Sequence, residues 1–427
     1  MTKTKNSQTL EVIDQVISRG VDEGVIHLST ENDSFRGRDI QLKGQKMINF
    51  SSCSYLGLEL DNRLKHAASE AVMKFGTQFS SSRAYVSIGL YEELEKLLET
   101  IYNAPVLVSA STTLGHLSNI PVLIGDRDAI IMDHQVHASV GMACQMVKGR
   151  GVKVEMIRHN NVERLAERIE HLSKSYDRIW YMADGLYSMY GDFAPVDELK
   201  PLLDAYPQLH LYLDDAHSIG WTGPHGQGHV YPRIGGHKRV YITGSMAKSF
   251  GVGGGILIFP DQKTKQRVRN CGGTMIFSGP IQPPTLGAAI ASAKIHLSNE
   301  LPELQDKLAQ RIDCFNQTAL ELNLPIKKVA HSPIFFIEVG QPEVGYNMVK
   351  RLMNLGYYTN LGVYPSVPYK NTGLRMTVNN HMGLGDIQNL LTLIHQQLPF
   401  ALEEEMQSDV LSGKTSEAEV KAHERSL

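Results

Sequence analysis

Between residues 8 and 25 the apolar positions Leu10, Ile13, Val16, Ile17 and Val21 recur at helical spacing, which predicts an amphipathic N-terminal helix whose apolar stripe needs a partner surface. From about Asn49 to Pro284 the pattern changes. Short apolar or β-branched runs recur, each closing on a small or acidic residue and followed by a helix-like stretch: 129–132 before Asp133, 179–182 before Asp184, 209–213 before Asp214 and 240–243 before Ser245. Runs that look apolar on both faces and alternate with helices predict a mainly parallel sheet covered on each side. Ligands of such sheets bind at the carboxyl ends of the strands, and that is where these polar residues fall. A second block opens with a helical pattern at 302–322, followed by a strand-like run at 334–339, a helix near 346–355 and a strand around 374–378. The expectation is an α/β protein with an N-terminal helix and arm (1–48), a large domain (49–295), a smaller α+β C-terminal domain (296–400) and a polar tail (401–427) that frays or is disordered.

Composition narrows the class. With 42% hydrophobic and 20% charged residues over 427 positions, the chain can bury a large core. Lys plus Arg number 42 against 45 Asp plus Glu, a formal charge of -3 that disfavours nucleic acid or an anionic membrane as a dedicated partner. Apolar runs such as 255–259 fall far short of the roughly 20 residues of a membrane-spanning helix. Residues 1–10 are polar and lack the apolar stretch of a secretory leader, so the expected location is cytoplasmic. Cys53, Cys144, Cys271 and Cys314 form no close pair, which argues against a zinc knuckle, another metal site or a redox dithiol and for reduced core residues.

The chemistry concentrates in two stretches. Residues 211–220 (LYLDDAHSIG) bring Asp214, Asp215 and His217 to a strand end, and residues 241–251 (YITGSMAKSFG) do the same for Ser245 and Lys248, just before the run Gly253, Gly254 and Gly255. A lysine among small residues in a Gly-rich turn is poorly placed for a surface ion pair; partly desolvated, it becomes a usable nucleophile or base. Taken singly, a lysine reads as a solvated charge and Asp-x-x-His as a turn or cap. Together, a carboxylate, a lysine and the cluster Ser111, Thr112 and Thr113 at a helix start are what pyridoxal phosphate requires: a Schiff-base amine, a partner for the pyridine nitrogen and donors for the phosphate.

Seven ordered motifs add to this. They are 49–58 (NFSSCSYLGL), 80–85 (SSSRAY), 133–139 (DHQVHAS), 184–192 (DGLYSMYGD), 214–217 (DDAH), 245–248 (SMAK) and 373–377 (GLRMT). In this order the chain resembles the α-oxoamine synthases, fold type I pyridoxal phosphate enzymes that condense a small amino acid with an acyl thioester. The resemblance spans about Ile48 to His381. It implies that Lys248 is the Schiff-base lysine and moves the Cα proton, and that Asp214 partners the ring nitrogen. His217 and Ser188 would hydrogen-bond the phenolic oxygen, and His137 would stack on the ring. Ser111, Thr112, Thr113 and Ser245 would hold the phosphate, with Ser278 crossing from the second subunit of a homodimer that shares its active sites. Arg375 would bind the amino-acid carboxylate, Ser54 would contact the amino acid and Arg83 would reach the acyl donor.

Three places depart from the family pattern. Ser54 stands where Asn is usual, the helix start reads Ser-Thr-Thr-Leu-Gly from Ser111 in place of Gly-aromatic-x-x-Asn, and 279–282 differs at the acyl entrance. The implied reaction joins glycine, alanine or serine to an acyl-CoA or acyl carrier protein thioester, giving an α-amino ketone and CO2. Transamination on the same cofactor and a non-catalytic partner subunit are the alternatives.

Overall fold

Each apolar run singled out above becomes a strand. The structure, a computed structural model, describes residues 5–411. The chain divides into two units, one of Cys53–Ser188 with Asp192–Leu308, the other of Met1–Ser52, Met189–Gly191 and Ala309–Leu427.

The larger unit is built on seven strands: β1 (Val106–Ser109), β2 (Ala129–Asp133), β3 (Lys153–Ile157), β4 (Ile179–Asp184), β5 (Leu209–Asp214), β6 (Val240–Ser245) and β7 (Gly255–Ile258). Their order is β1-β7-β6-β5-β4-β2-β3. The pairs among β2 to β6 are all parallel, whereas β7 runs antiparallel to both neighbours. This is the mainly parallel sheet expected. Every residue of β4 and β6 is buried, as befits strands covered on both faces. Leu107, Trp180, Met182, Tyr212 and Leu257 from the sheet share one core with Ile120, Val140, Cys144 and Val268 from the helices. Asp261 and Asn161 cap helices Gln262–Cys271 and Val162–Leu172, accepting from the amides of Thr264 at 2.8 Å and Arg164 at 2.7 Å. In register Asp184 lies beside Asp214, and Asp214 beside Thr243. The strand ends are level, which lines up their polar residues.

In the smaller unit, Thr372–Thr377 is the central strand of an antiparallel sheet, flanked by Ile334–Gly340 and Asn360–Gly362. Residues before Ser52 belong here because the hairpin Asp39–Leu42 and Gln45–Asn49 pairs in parallel with Tyr357–Tyr358. The N-terminal helix, Lys5–Asp22, finds its partner in the same unit: Val16 is buried, and the Tyr346 hydroxyl donates to the Val16 carbonyl at 2.8 Å. Ser332 Oγ donates to the Gly191 carbonyl at 2.7 Å, and Tyr190 meets Phe336 edge to face, which joins residues 189–191 to this unit.

Two expectations are corrected. The fraying tail was expected from residue 401, yet helix Leu384–Leu411 continues well past it. Arg351 pairs with Glu404, and the Asn347 amide donates to Glu404 and Glu405, so that the acidic run, though largely exposed, is tied to helix Pro342–Asn354. Residues 412–427 of that tail lie outside the described residues. Of the four cysteines, all free, only Cys144 is in the core, and Cys271 is exposed. No helix among the described residues is long and apolar enough to cross a membrane, and no group of three or more His, Cys, Asp or Glu there is placed to hold a metal ion.

Candidate active site

At the carboxyl ends of the central strands a cavity brings together Thr112, Thr113, His137, Asp214, His217 and Lys248. Asp184 and Ser139, which sequence reasoning had not assigned to the site, line it as well. All of them lie in the larger unit.

Two carboxylates face one another across adjacent strands. Burial pushes the Asp184 carboxyl well above the usual range, and the neighbouring charge of Asp214 pushes it further. Burial acts on Asp214 in the same direction but is outweighed by His116, Lys248 and His137, which hold that carboxyl at about 2. The two shifts run in opposite directions, towards the charged form for Asp214 and towards the neutral form for Asp184. His116 Nε2 is 2.9 Å from Asp214 Oδ2, and the Ala216 amide donates to Oδ1 at 3.0 Å. The backbone amide of His137 donates to Asp184 Oδ1 at 3.0 Å.

His217 is bracketed by two aromatic residues. The Tyr55 hydroxyl is 2.8 Å from its Nδ1, and the Trp221 indole N–H donates to its carbonyl at 2.7 Å. Tyr55 is fully buried, and its φ of 36° is a conformation bulky side chains rarely adopt. That strain persists at the one place where the phenol meets His217.

The start of helix Thr112–Leu123 also lines the cavity. Ser111 is its N-cap, accepting from the Leu114 amide at 3.2 Å, and Thr112 Oγ1 donates to the Gly244 carbonyl at 3.0 Å. The helix start presses on β7: a Cβ at Gly255 would lie 2.7 Å from the Thr112 nitrogen and 2.5 Å from Ser109 Oγ. A glycine is required there for the close approach. His137 caps helix Ala138–Lys148, its Nδ1 accepting from the Ser139 amide at 3.3 Å and lying 2.6 Å from Ser139 Oγ, which leaves Nε2 to carry the ring proton.

The family described as aminotransferase class I and II matches residues 45–394. An 8-amino-7-oxononanoate synthase from Symbiobacterium thermophilum is 31% identical over 340 residues, 79% of this chain and 84% of the relative. A serine palmitoyltransferase from Sphingobacterium spiritivorum is 26% identical over 384 residues, 88% of this chain and 93% of the relative. The chain belongs to the α-oxoamine synthases. Among solved structures, the fold is shared with serine palmitoyltransferase from S. paucimobilis with bound PLP-myriocin aldimine, at a TM-score of 0.84 and 24% identity, covering 93% of this chain and 99% of that one. It also matches the Sphingomonas wittichii serine palmitoyltransferase at a TM-score of 0.83 and 22% identity, covering 93% and 99%. The protein is thus a fold type I enzyme of the acyltransferase type whose cofactor is pyridoxal 5'-phosphate.

The residues of this α-oxoamine synthase fit that cofactor. A buried anion, a half-buried lysine amine and a helix N-terminus held close by a glycine stand around one cavity, and anionic groups are stabilised at helix N-termini. The phosphate end differs in one respect from the expectation that hydroxyls replace the usual contacts. Thr112 Oγ1 already donates to the Gly244 carbonyl, whereas Ser111 Oγ accepts from the Leu114 amide and keeps its O–H, so that the donors left are the Ser111 hydroxyl, the backbone amides of Thr112 and Thr113 and the Thr113 hydroxyl. Ser245 is buried at the end of β6, its Oγ accepting from the Ala247 amide at 3.1 Å.

Other expected residues stand apart from the cavity lining. Arg83 has its guanidinium on Glu95 at 3.0 Å and on the Val108 carbonyl at 3.0 Å, 3.7 Å over the Tyr91 ring. It is tied to Glu95 within the larger unit; Glu95 lies on the helix that follows and gave no sign of the pairing in the sequence. Ser54 is buried, Ser188 half-buried, and Ser278 half-buried next to an exposed Phe277. Arg375 is buried in the central strand of the smaller unit, opposite Phe336 and Asn360.

The last motif residue, Asp192, has a clear structural partner. His159 sits between Asp133, at 3.0 Å, and Asp192, at 2.7 Å. Its ring meets Tyr187 edge to face with centroids 4.3 Å apart. Burial lowers the His159 pKa, but the two carboxylates win and raise it to about 9, so that the ring is cationic at neutral pH. This clamp ties the end of β2 to the loop after β4.

Proposed function

We propose that this enzyme joins a small α-amino acid (glycine, alanine or serine) to an acyl-CoA or acyl carrier protein thioester. A carbon-carbon bond forms between the amino-acid Cα and the acyl carbonyl, the carbon-sulfur bond breaks, and the carboxylate leaves as CO2, giving an α-amino ketone and a free thiol. The observation that carries this reading is the convergence of Lys248, Asp214, His217, His137 and the Thr112–Thr113 helix start on one cavity.

When bound, pyridoxal phosphate supplies an aldehyde for an amine and a ring that accepts the electron pair left at Cα. Lys248 Nζ would hold the cofactor and then take the Cα proton. Asp214, ionised by its surroundings, would keep a proton on the ring nitrogen. His217, fixed through Tyr55, would face the phenolic oxygen together with Ser188. His137 would cover the ring face and exclude water from it. The amides of Thr112 and Thr113, with Ser245, would hold the phosphate. Arg375 would bind the substrate carboxylate, since a planar fork of donors matches its two oxygens, and Ser54 would contact the amino acid.

A homodimer supplying Ser278 across its interface is part of this reading. Tyr85 and Phe277 are 84% and 89% exposed, and Ser82 Oγ donates to the Ile276 carbonyl at 2.6 Å, which brings their two loops side by side. Adjoining exposed aromatics support a covering second copy; sedimentation at a single protomer mass would remove it.

The reaction is tested by incubating the protein with each amino acid against acyl-CoAs of graded length and scoring free thiol. Thiol release that requires both substrates and is matched by CO2 is expected. Amino transfer to a 2-oxo acid without thiol release would replace this reading with transamination. Substituting Arg375→Ala is expected to raise the amino-acid KM roughly 30- to 100-fold while the cofactor absorbance stays as in the parent enzyme. An unchanged KM would remove Arg375 from the site.

A further inference from the structure

His116 is absent from the motifs by which the chain is recognised, yet it is the side chain in closest contact with the Asp214 carboxylate. It lies within helix Thr112–Leu123, fully buried, with Nε2 on Asp214 Oδ2 at 2.9 Å and Nδ1 on the Tyr212 hydroxyl at 2.8 Å. Tyr212 and Asp214 are two residues apart on β5 and share a sheet face. His116 therefore spans them as a bridge. An ionised carboxylate only accepts hydrogen bonds, so Nε2 carries the proton that it donates to Asp214. Nδ1 lies within hydrogen-bond distance of the Tyr212 hydroxyl, which holds the other edge of the ring.

The bridge is also held in place. At the preceding residue, Gly115, a Cβ would lie 2.8 Å from Leu257 Cδ2 and 2.9 Å from Ser109 Oγ, so this part of the helix lies directly on the sheet. The other carboxylate oxygen, Oδ1, is fixed by the Ala216 amide. Each oxygen of Asp214 thus has one assigned donor and a remaining lone pair. The carboxylate cannot rotate to follow a ligand without breaking one of the two bonds.

We infer that His116 is a positioning residue, which acts through Asp214 to hold that carboxylate in the orientation that binds the protonated ring nitrogen of pyridoxal phosphate. This rests on the reading of Asp214 as the partner of the ring nitrogen. A merely structural His116, joining helix to sheet, would affect the binding of any cofactor of the same shape. A positioning His116 affects only a cofactor that has the nitrogen.

The test compares apoenzyme affinity for pyridoxal phosphate with that for its 1-deaza analogue, in which a carbon replaces the ring nitrogen, each titrated by quenching of tryptophan fluorescence. His116→Phe, which keeps a ring but makes neither hydrogen bond, is expected to bind pyridoxal phosphate roughly tenfold more weakly and the deaza analogue within about twofold of the parent. His116→Gln can still donate to Asp214 without spanning to Tyr212 and is expected to lie between the two; it carries the same comparison if the Phe variant does not fold. Equal weakening for both cofactors, or parental affinity for pyridoxal phosphate, overturns the inference. Asp214→Ala separates the two levels of the argument. If it abolishes the preference for the nitrogen-bearing ring while His116→Phe leaves that preference intact, the His116 role alone is lost. If Asp214→Ala also leaves the preference intact, the ring-nitrogen role of Asp214 is lost, and this inference with it.

Discussion

Replacing Lys248 by Ala should lower thiol release by more than about 10⁴-fold, since one amine is asked both to hold the cofactor covalently and to move the Cα proton. Lys248 is half-buried in the turn after β6, and it lines the same cavity as Asp214 and His217. Its charge also lowers the carboxyl pKa of Asp184 and of Asp214. The variant should therefore lose the yellow lysine-bound chromophore as well as turnover. Borohydride reduction of the parent enzyme, followed by peptide mapping, should place the cofactor on Lys248. A small primary amine added to Lys248→Ala should restore a measurable part of the proton transfer. A variant that keeps both colour and turnover would show that the amine at position 248 is not the reacting one.

The larger unit was readable from the sequence because its strands are covered on both faces. A run such as 179–182 is buried throughout and has no charged face to disguise it, and the first charged residue after it, Asp184, marks the end where ligands bind. The same property hid the reversal of β7. A short strand buried on both sides reads alike in either direction, and only its antiparallel pairing with β1 and β6 reveals it. Lys248, Asp214, His137 and His217 were legible as a set, because each follows directly on a strand or opens a helix. His116 was not. It sits inside a helical pattern with no charged neighbour in sequence, and its partners Tyr212 and Asp214 are almost a hundred residues on. The pairing of Arg83 with Glu95 was hidden in a similar way, its partner standing on the helix that follows.

The His159 clamp should make the enzyme lose stability as the pH rises from about 6.5 to above 9. In the folded protein the ring is held at about 9 by Asp133 and Asp192 against the opposing effect of burial; in the unfolded chain it titrates near the ordinary value of about 6.5. Below the lower value both states bind the proton and the full stabilisation is present. Between the two, the folded state binds more proton than the unfolded state, so each step upward in pH favours unfolding. The shift corresponds to about 3 kcal/mol, lost once the pH has passed the folded value. Asp133, held below its ordinary range by His159 and the amides of Asn160 and Gln135 despite burial, adds a term of the opposite sign that is lost only in acid. His159→Leu leaves two carboxylates facing each other with no cation between them, which should cost about 3–5 kcal/mol at neutral pH. Both tryptophans, Trp180 and Trp221, lie in the same unit as His159, so the urea midpoint read by their fluorescence reports on the right part of the molecule. The parent should show a midpoint that falls between pH 7 and 10, and His159→Leu a lower one that stays flat over that window. Parallel curves for the two proteins would mean that the ring is not a cation in the folded state, and that Asp192 closes the loop after β4 by some other contact.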